Sequence, residues 1–175
     1  MQGSRRVPLG LAHPGRVFIA ISSAIVVCDQ LTKEIVRRAL EPSHPLTLIP
    51  GLLRLAYVRN SGAAFGFFAG GRPIFVATSL VVLFFIAAYW RRARPTQWPV
   101  VVALAMITGG ALGNLIDRAF IGQVTDFFDL MFIEFPVFNI ADIGIVGGVA
   151  VLMVWILFGP SPSTGETERH EDEDE

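Results

Sequence analysis

The sequence predicts an all-α membrane protein of four transmembrane helices, with a small extracytoplasmic β-containing platform between the first and second. Three observations carry that expectation. The chain is 53% hydrophobic and only 17% charged, with a mean hydropathy of +0.56, too apolar for a water-soluble domain of 175 residues. Four apolar runs, residues 16–38, 73–90, 99–116 and 137–158, are each long enough to cross about 30 Å of hydrocarbon at about 1.5 Å per residue. Residues 39–72, between the first two runs, are too polar and too broken by Pro42, Pro45, Pro50 and Gly51 to span.

The formal net charge of −1 hides an asymmetry, because seven of the fifteen acids lie in the last ten residues. Residues 1–165 hold 13 Lys plus Arg against 8 Asp plus Glu, a surplus suited to anionic lipid. Cys28, the lone cysteine, excludes an internal disulfide framework. With it, His13, His44 and His170 fall on no metal-ligand spacing, so neither a metal nor another cofactor is expected. No basic stripe with interleaved aromatics calls for nucleic acid.

Residues 1–15, with Pro8, Pro14 and three glycines, read as a flexible arm. Arg5, Arg6 and Arg16 ahead of Val17–Cys28 imitate a signal peptide, but Val27-Cys28-Asp29 offers no small-x-small cleavage site and the helical pattern continues past it. In the first span Asp29 and Lys33 are four residues apart with the acid first, the favourable order for a helical ion pair. That pair orients the helix, or Lys33, the chain's one lysine, contacts substrate or tunes a nearby acid; Cys28 is expected to pack. Leu46–Ile49 and Leu52–Arg59 suit short paired strands lying on the membrane. In Asn60-Ser-Gly-Ala-Ala-Phe-Gly66 the Asn and glycines permit a tight turn, and Phe65, Phe67 and Phe68 are placed to dip among headgroups. The motif is a hairpin turn with an aromatic anchor or a substrate-binding loop.

The second span ends in Tyr89-Trp90-Arg91-Arg92, an aromatic belt with a basic cluster. An even number of spans puts both termini on one side, and Arg5, Arg6, Arg16 and the Arg91 cluster make that side cytoplasmic, against Arg37, Arg38, Arg54, Arg59 and Arg72 in the opposite loop. Gly109 with Gly113 and Gly144 with Gly148 give the third and fourth spans GxxxG faces through which the two are expected to pack. Residues 160–175, Gly/Pro/Ser-rich then acidic, are expected to be a solvated tail.

Between those last spans lies a short polar loop bounded by carboxylates, which are costly near lipid and functional candidates for that reason. Asp142 is expected about six residues past Pro136, roughly 9 Å below the start of its helix, with Asp126 on the loop folding back as its partner. Two carboxyls sharing one proton hold an acid and a base near neutral pH, enough to activate water against a peptide carbonyl. Asn114, Asp117, Arg118 and Asn139 would support them, Asp117 and the adjacent Arg118 pointing different ways on a helix. Alternatively Asn114 and Asn139 act as interhelical hydrogen bonders and Arg118 as a snorkelling anchor; Asp129 and Glu134 are expected to face water. Two other readings stay open: a Ser–Lys dyad of Ser61 and Lys33, and a small channel or transporter using the buried acids as an ion or proton relay.

In order, Asp29-Gln-Leu-Thr-Lys33, Asn60–Gly66, Gly109-Gly110-Ala-Leu-Gly-Asn114 with Asp117-Arg118, Gly122-Gln-Val-Thr-Asp126-Phe127 and Phe138-Asn139-Ile-Ala-Asp142 resemble the motifs of lipoprotein signal peptidases, the signal peptidase II family. The resemblance implies a four-span aspartic endopeptidase of the bacterial inner membrane with cytoplasmic termini and an active site near the extracytoplasmic surface. It would act as a monomer, cutting diacylglyceryl-modified prolipoproteins just before the lipidated Cys. By position Asp126 and Asp142 match the catalytic aspartates, while Asp29, Lys33, Asn60, Gly110, Asn114, Arg118 and Asn139 match positions that shape the site or contact substrate. Gly144 stands where the family often has Ser, and the arm and acidic tail have no counterpart.

Overall fold

The computed structural model describes residues 13–62 and 72–160; the arm before His13, Phe65, Phe67, Phe68 and the acidic tail lie outside the described residues. Four helices are long and apolar enough to cross a membrane: α1 (Pro14–Ala39), α2 (Arg72–Ala93), α3 (Trp98–Phe120) and α4 (Ile140–Phe158). The protein is a multi-pass membrane protein with its spans where the hydropathy places them, though α2 and α3 run three and four residues further at their C-terminal ends and α4 starts later than expected.

Local chemistry sets the ends. Pro14 opens α1, where a missing N–H costs nothing, and the His13 Nδ1 accepts the Gly15 N–H at 3.2 Å. Gly122, at φ +89°, carries the chain out of α3, its N–H and that of Ile121 donating to the Asp117 carbonyl at 2.9 and 2.8 Å. Asn139 caps α4.

β1 (Leu46–Ile49) and β2 (Leu53–Asn60) form the expected hairpin. The stretch expected to be only a polar loop holds a third strand, β3 (Val124–Leu130), which pairs antiparallel with β2 in a sheet of order β1-β2-β3. Val124-Thr-Asp-Phe-Phe-Asp-Leu130 becomes a strand because β2 offers its backbone a partner, its aromatic and β-branched residues then tolerating the pleat despite the two carboxylates. The register sets Asp129 opposite Arg54, and the Arg54 Nε donates to its Oδ2 at 2.5 Å. Asp129, expected to face water, is thus held in a cross-strand ion pair with 14% of its side chain exposed.

α3 is the central helix. Its Val101, Ala103 and Ala105 are fully buried, whereas no described residue of α2 is. The small-residue faces divide differently from expectation. A Cβ on Gly110 would come within 2.2 Å of the Ala141 carbonyl in α4, and one on Gly109 within 2.8 Å of the Ser22 carbonyl in α1. Gly113 faces the Asp29 carboxylate of α1 as well as Ala141. On α4, Gly144 and Gly148 do approach α3, at the Met106 and Ala103 carbonyls. The three helices meet so closely that α3 needs glycine on two sides. Cys28, expected to pack, lies on the exposed face of α1.

Candidate active site

Phe138 brings the two ends of the site together. Its carbonyl accepts the N–H groups of Phe127 and Phe128 at 3.0 and 2.8 Å and its own N–H donates to the Phe128 carbonyl at 3.1 Å. This bridge lays β3 against the entry to α4, so Asp126 and Asn139 become neighbours. Asn139 then starts the helix: its Oδ1 accepts the Asp142 N–H at 2.9 Å, and Asp142 Oδ2 accepts the Asn139 N–H at 3.1 Å, a reciprocal capping box. Asp142 therefore sits in the first turn of α4 and not some 9 Å along it, because Pro136 to Phe138 are consumed by the bridge to β3.

Each carboxyl oxygen of the pair has a neutral donor. Asp126 Oδ1 accepts from Asn139 Nδ2 at 2.6 Å and its Oδ2 from Asn60 Nδ2 at 2.8 Å; Asp142 Oδ1 accepts from Asn114 Nδ2 at 2.7 Å. Their orientations are forced. Lys33 Nζ, which can only donate, faces Asn114 Oδ1 at 3.0 Å, leaving the amide nitrogen for Asp142. The Asn139 oxygen is likewise taken by the Asp142 N–H, so its nitrogen turns to Asp126 and, at 3.1 Å, to Asn114 Oδ1. Among the described residues the two carboxyls share no direct hydrogen bond; Asn139 touches both.

Asp126 is 2% exposed. Burial pushes its carboxyl from 3.8 up to about 6, with Asp142 adding to the rise while the Asn60 and Asn139 amides and Lys33 oppose it. Asp142 is only half-buried. With Asn114 and Arg118 it lines a cavity of about 240 Å³ whose other walls, among them Phe75, Val82 and Ile145, are largely apolar. The Arg118 guanidinium lies over the Phe75 ring, 5.3 Å from its centroid.

Beneath this pair lies a buried ionic cluster. Lys33 Nζ is 2.8 Å from Asp29 Oδ2 and 3.3 Å from Asp117 Oδ2, all three side chains being 0% exposed, so with Asn114 its three donors are all used. Asp29 Oδ1 accepts the Ala141 N–H at 2.9 Å, satisfying an orphan donor in the first turn of α4. Asp117 Oδ2 accepts the Thr125 N–H at 3.0 Å, one residue before Asp126. One acid thus positions Asp142's helix and the other Asp126's strand, and Lys33 joins them.

The structure gathers Asp126, Asp142, Asn60, Asn114 and Asn139 at one locus, sets Asp29 and Lys33 in the layer below, and places Gly110 where only glycine lets α4 come close. Lys33 is fully buried; it forms the expected ion pair with Asp29, and of the alternative role it keeps the tuning of a nearby acid, opposing the rise of the Asp126 carboxyl and orienting Asn114. Asn60 ends β2 and its Oδ1 accepts the Gly62 N–H at 2.8 Å, with Gly62 at φ +79°; residues 63–66 of the Asn60–Gly66 motif lie outside the described residues. Sequence reasoning named Asp117 only as a supporting polar group and assigned no role to Gln30 or Arg37. Gln30 Nε2 donates to Asp29 Oδ2 and to the Gly113 carbonyl at 3.1 and 3.0 Å, and Arg37 Nη1 lies 3.6 Å from Asp117 Oδ1. The four-residue steps Asp29, Lys33, Arg37 put all three on one helical face, which was the available signal.

Residues 21–158 match the family model for signal peptidase (SPase) II. The chain is 40% identical to the lipoprotein signal peptidase of Syntrophotalea carbinolica over 79% of its length and 89% of that protein. It is 42% identical to that of Geobacter metallireducens over 78% of this chain and 88% of the relative. The backbone superposes with a TM-score of 0.78 on a bacterial membrane enzyme solved by the in meso method at 2.3 Å resolution, 30% identical, covering 87% of this chain and 94% of that one.

Proposed function

The chain belongs to the signal peptidase II family, and from that premise we propose that it is an aspartic endopeptidase of the bacterial inner membrane that removes the signal peptide from diacylglyceryl-modified prolipoproteins, cutting just before the lipidated Cys. The observation that carries the catalytic assignment is the convergence of Asp126 and Asp142 on Asn139, beside a cavity with apolar walls, with one carboxyl raised to about 6.

Asp126, the more buried carboxyl, carries the shared proton, and Asp142 acts as base. Water attacks the scissile carbonyl carbon, giving a proton to Asp142 while Asp126 protonates the carbonyl oxygen. The resulting diol collapses as the departing nitrogen takes the proton from Asp142 and a diol hydroxyl returns one to Asp126, restoring both groups. Asn60, Asn114 and Asn139 hold the carboxyls in place, and the half-buried Asp142 faces the cavity through which a membrane-embedded peptide arrives. Every group named comes from one chain, so a monomer suffices.

The same reading has both termini in the cytoplasm and the sheet at the outer surface. Of the arginines that oppose this count, Arg37 belongs to the buried cluster and Arg54 to the cross-strand pair, whereas Arg16, Arg91, Arg92 and Arg94 have no acid partner among the described residues. The relay reading needs a polar path along the bundle. Past the dyad, α3 and α4 meet instead through Ala103, Ile107 and Gly148.

The test is cleavage of a diacylglyceryl prolipoprotein peptide by purified protein in excess chelator. Wild type cleaves; Asp126→Asn and Asp142→Asn each lose activity while still inserting. Appreciable turnover by either variant would refute the dyad, and an inactive wild type on a competent substrate would refute the family activity for this chain.

A further inference from the structure

At the end of the bundle remote from the sheet, a cavity of about 540 Å³ opens between the start of α1 and the α2–α3 turn, lined by His13, Gly15, Trp90, Arg91, Arg94 and Thr96 together with prolines. All eight acids of residues 13–160 lie toward the opposite end, in the second half of α1, the sheet and its loops, the end of α3 and the first turn of α4. The cavity is therefore a concentrated positive site whose arginines find no acid partner among the described residues. Two helix N-termini add to it. α1 begins at its wall, and α3 begins just past Thr96 with Gln97 making no side-chain cap. Arg94 is held at φ +44°, a left-handed conformation that glycine would adopt without strain. An arginine kept there points to a use for its guanidinium.

We infer that this cavity binds the phosphodiester of an anionic membrane phospholipid. Arg91 and Arg94 supply forked donors matched to phosphate oxygens, as basic pockets between transmembrane helices do for acidic headgroups. Its place beside the aromatic end of α2 selects a lipid over a free phosphate. The cavity lies where the apolar run of α2 gives way to Tyr89 and Trp90, and the Trp90 ring packs 4.4 Å from Phe18 of α1 as an apolar wall beneath the charges.

The experiment uses the full chain, stripped of lipid in detergent, with phosphatidylglycerol, phosphatidylethanolamine, inorganic phosphate and glycerol phosphate as probes, bound lipid being counted by native mass spectrometry. One phosphatidylglycerol is retained at least about tenfold more tightly than phosphatidylethanolamine. Arg91→Gln and Arg94→Gln weaken it about fivefold each, whereas Arg92→Gln, outside the cavity, changes it less than about twofold. Undiminished binding by the Arg91→Gln/Arg94→Gln protein, or an equal loss with Arg92→Gln, overturns the assignment. Displacement by inorganic or glycerol phosphate at concentrations matching the lipid makes the occupant a soluble anion, which also overturns it. So does phosphatidylglycerol binding that emerges only after removal of residues 161–175, because the acidic tail is then the occupant.

Discussion

Replacing Lys33 with methionine keeps an unbranched side chain one atom shorter and removes the cation that lies between Asp29 and Asp117. Both acids are 0% exposed, so neither can recover its charge compensation from water. Breaking a buried ion pair by deleting one partner typically costs about 3–5 kcal/mol. The lower end applies, because Asp29 retains donors from Gln30 and Ala141, and Asp117 retains Thr125 and Arg37. Lys33→Met should therefore lose about 3 kcal/mol, read by titrating the purified protein with a denaturing detergent. Asp29→Asn added to Lys33→Met removes one charge of each sign and still offers the Ala141 N–H an acceptor, so it should regain at least about half of that loss. Activity should fall on the order of 10²-fold in Lys33→Met, since Asn114 loses the contact that turns its nitrogen toward Asp142. A loss under about 1 kcal/mol, or a double variant less stable than Lys33→Met alone, would refute the view that Lys33 neutralises two buried acids.

The remaining predictions concern the dyad and the helix contacts. With its carboxyl raised to about 6, Asp126 binds its proton more tightly folded than unfolded, so its contribution is full below 3.8 and is lost as pH rises through about 6. Wild type should lose up to about 3 kcal/mol across that window through this group, and Asp126→Asn should flatten that part of the pH–stability curve; parallel curves would contradict it. On the same assignment kcat/KM declines above about pH 6, and Asn60→Leu, which removes a donor favouring the carboxylate, moves that limb upward; a limb moving down would count against the Asn60 contact. Gly110→Ala drives a Cβ into the Ala141 backbone and should cost about 1–3 kcal/mol with loss of activity. Gly147→Ala meets only the flexible Met106 tip and should be nearly silent in the same two assays.

The spans and the β1–β2 hairpin were legible because hydropathy, prolines and β-branched runs act locally. The third strand was not, since Asp126 and Asp129 made residues 124–130 look like a loop and only pairing with β2 reveals that they share the sheet. The depth of Asp142 was misjudged for a related reason: Pro136 ends one segment, but the backbone bridge between Phe128 and Phe138 delays the next helix by three residues, and that is a long-range contact. Asp29 and Lys33 were visible as a pair from their spacing. That they also cap α4 and hold β3 through Asp117 depends on where α3 passes, which no local pattern states.

On the proposed mechanism, the amide clamp around Asp126 and Asp142 has a consequence for the timing of proton movement. An arginine or lysine ion-paired to one carboxyl would pin negative charge there, and each turnover would have to drag that charge away from its counterion and back; among the described residues neither Asp126 nor Asp142 has such a pair. Asn60 and Asn139 face Asp126 and Asn114 faces Asp142 with neutral amide dipoles, Asn114 held by Lys33, Asn139 by the α4 cap and Asn60 by the Gly62 N–H. Negative charge can pass from one carboxyl to the other while the surrounding atoms stay still, so the reorganisation energy of that step is small. The ions Asp29, Lys33 and Asp117, kept one layer down, supply rigidity, and on the proposed mechanism it is the burial of Asp126 that makes it the acid.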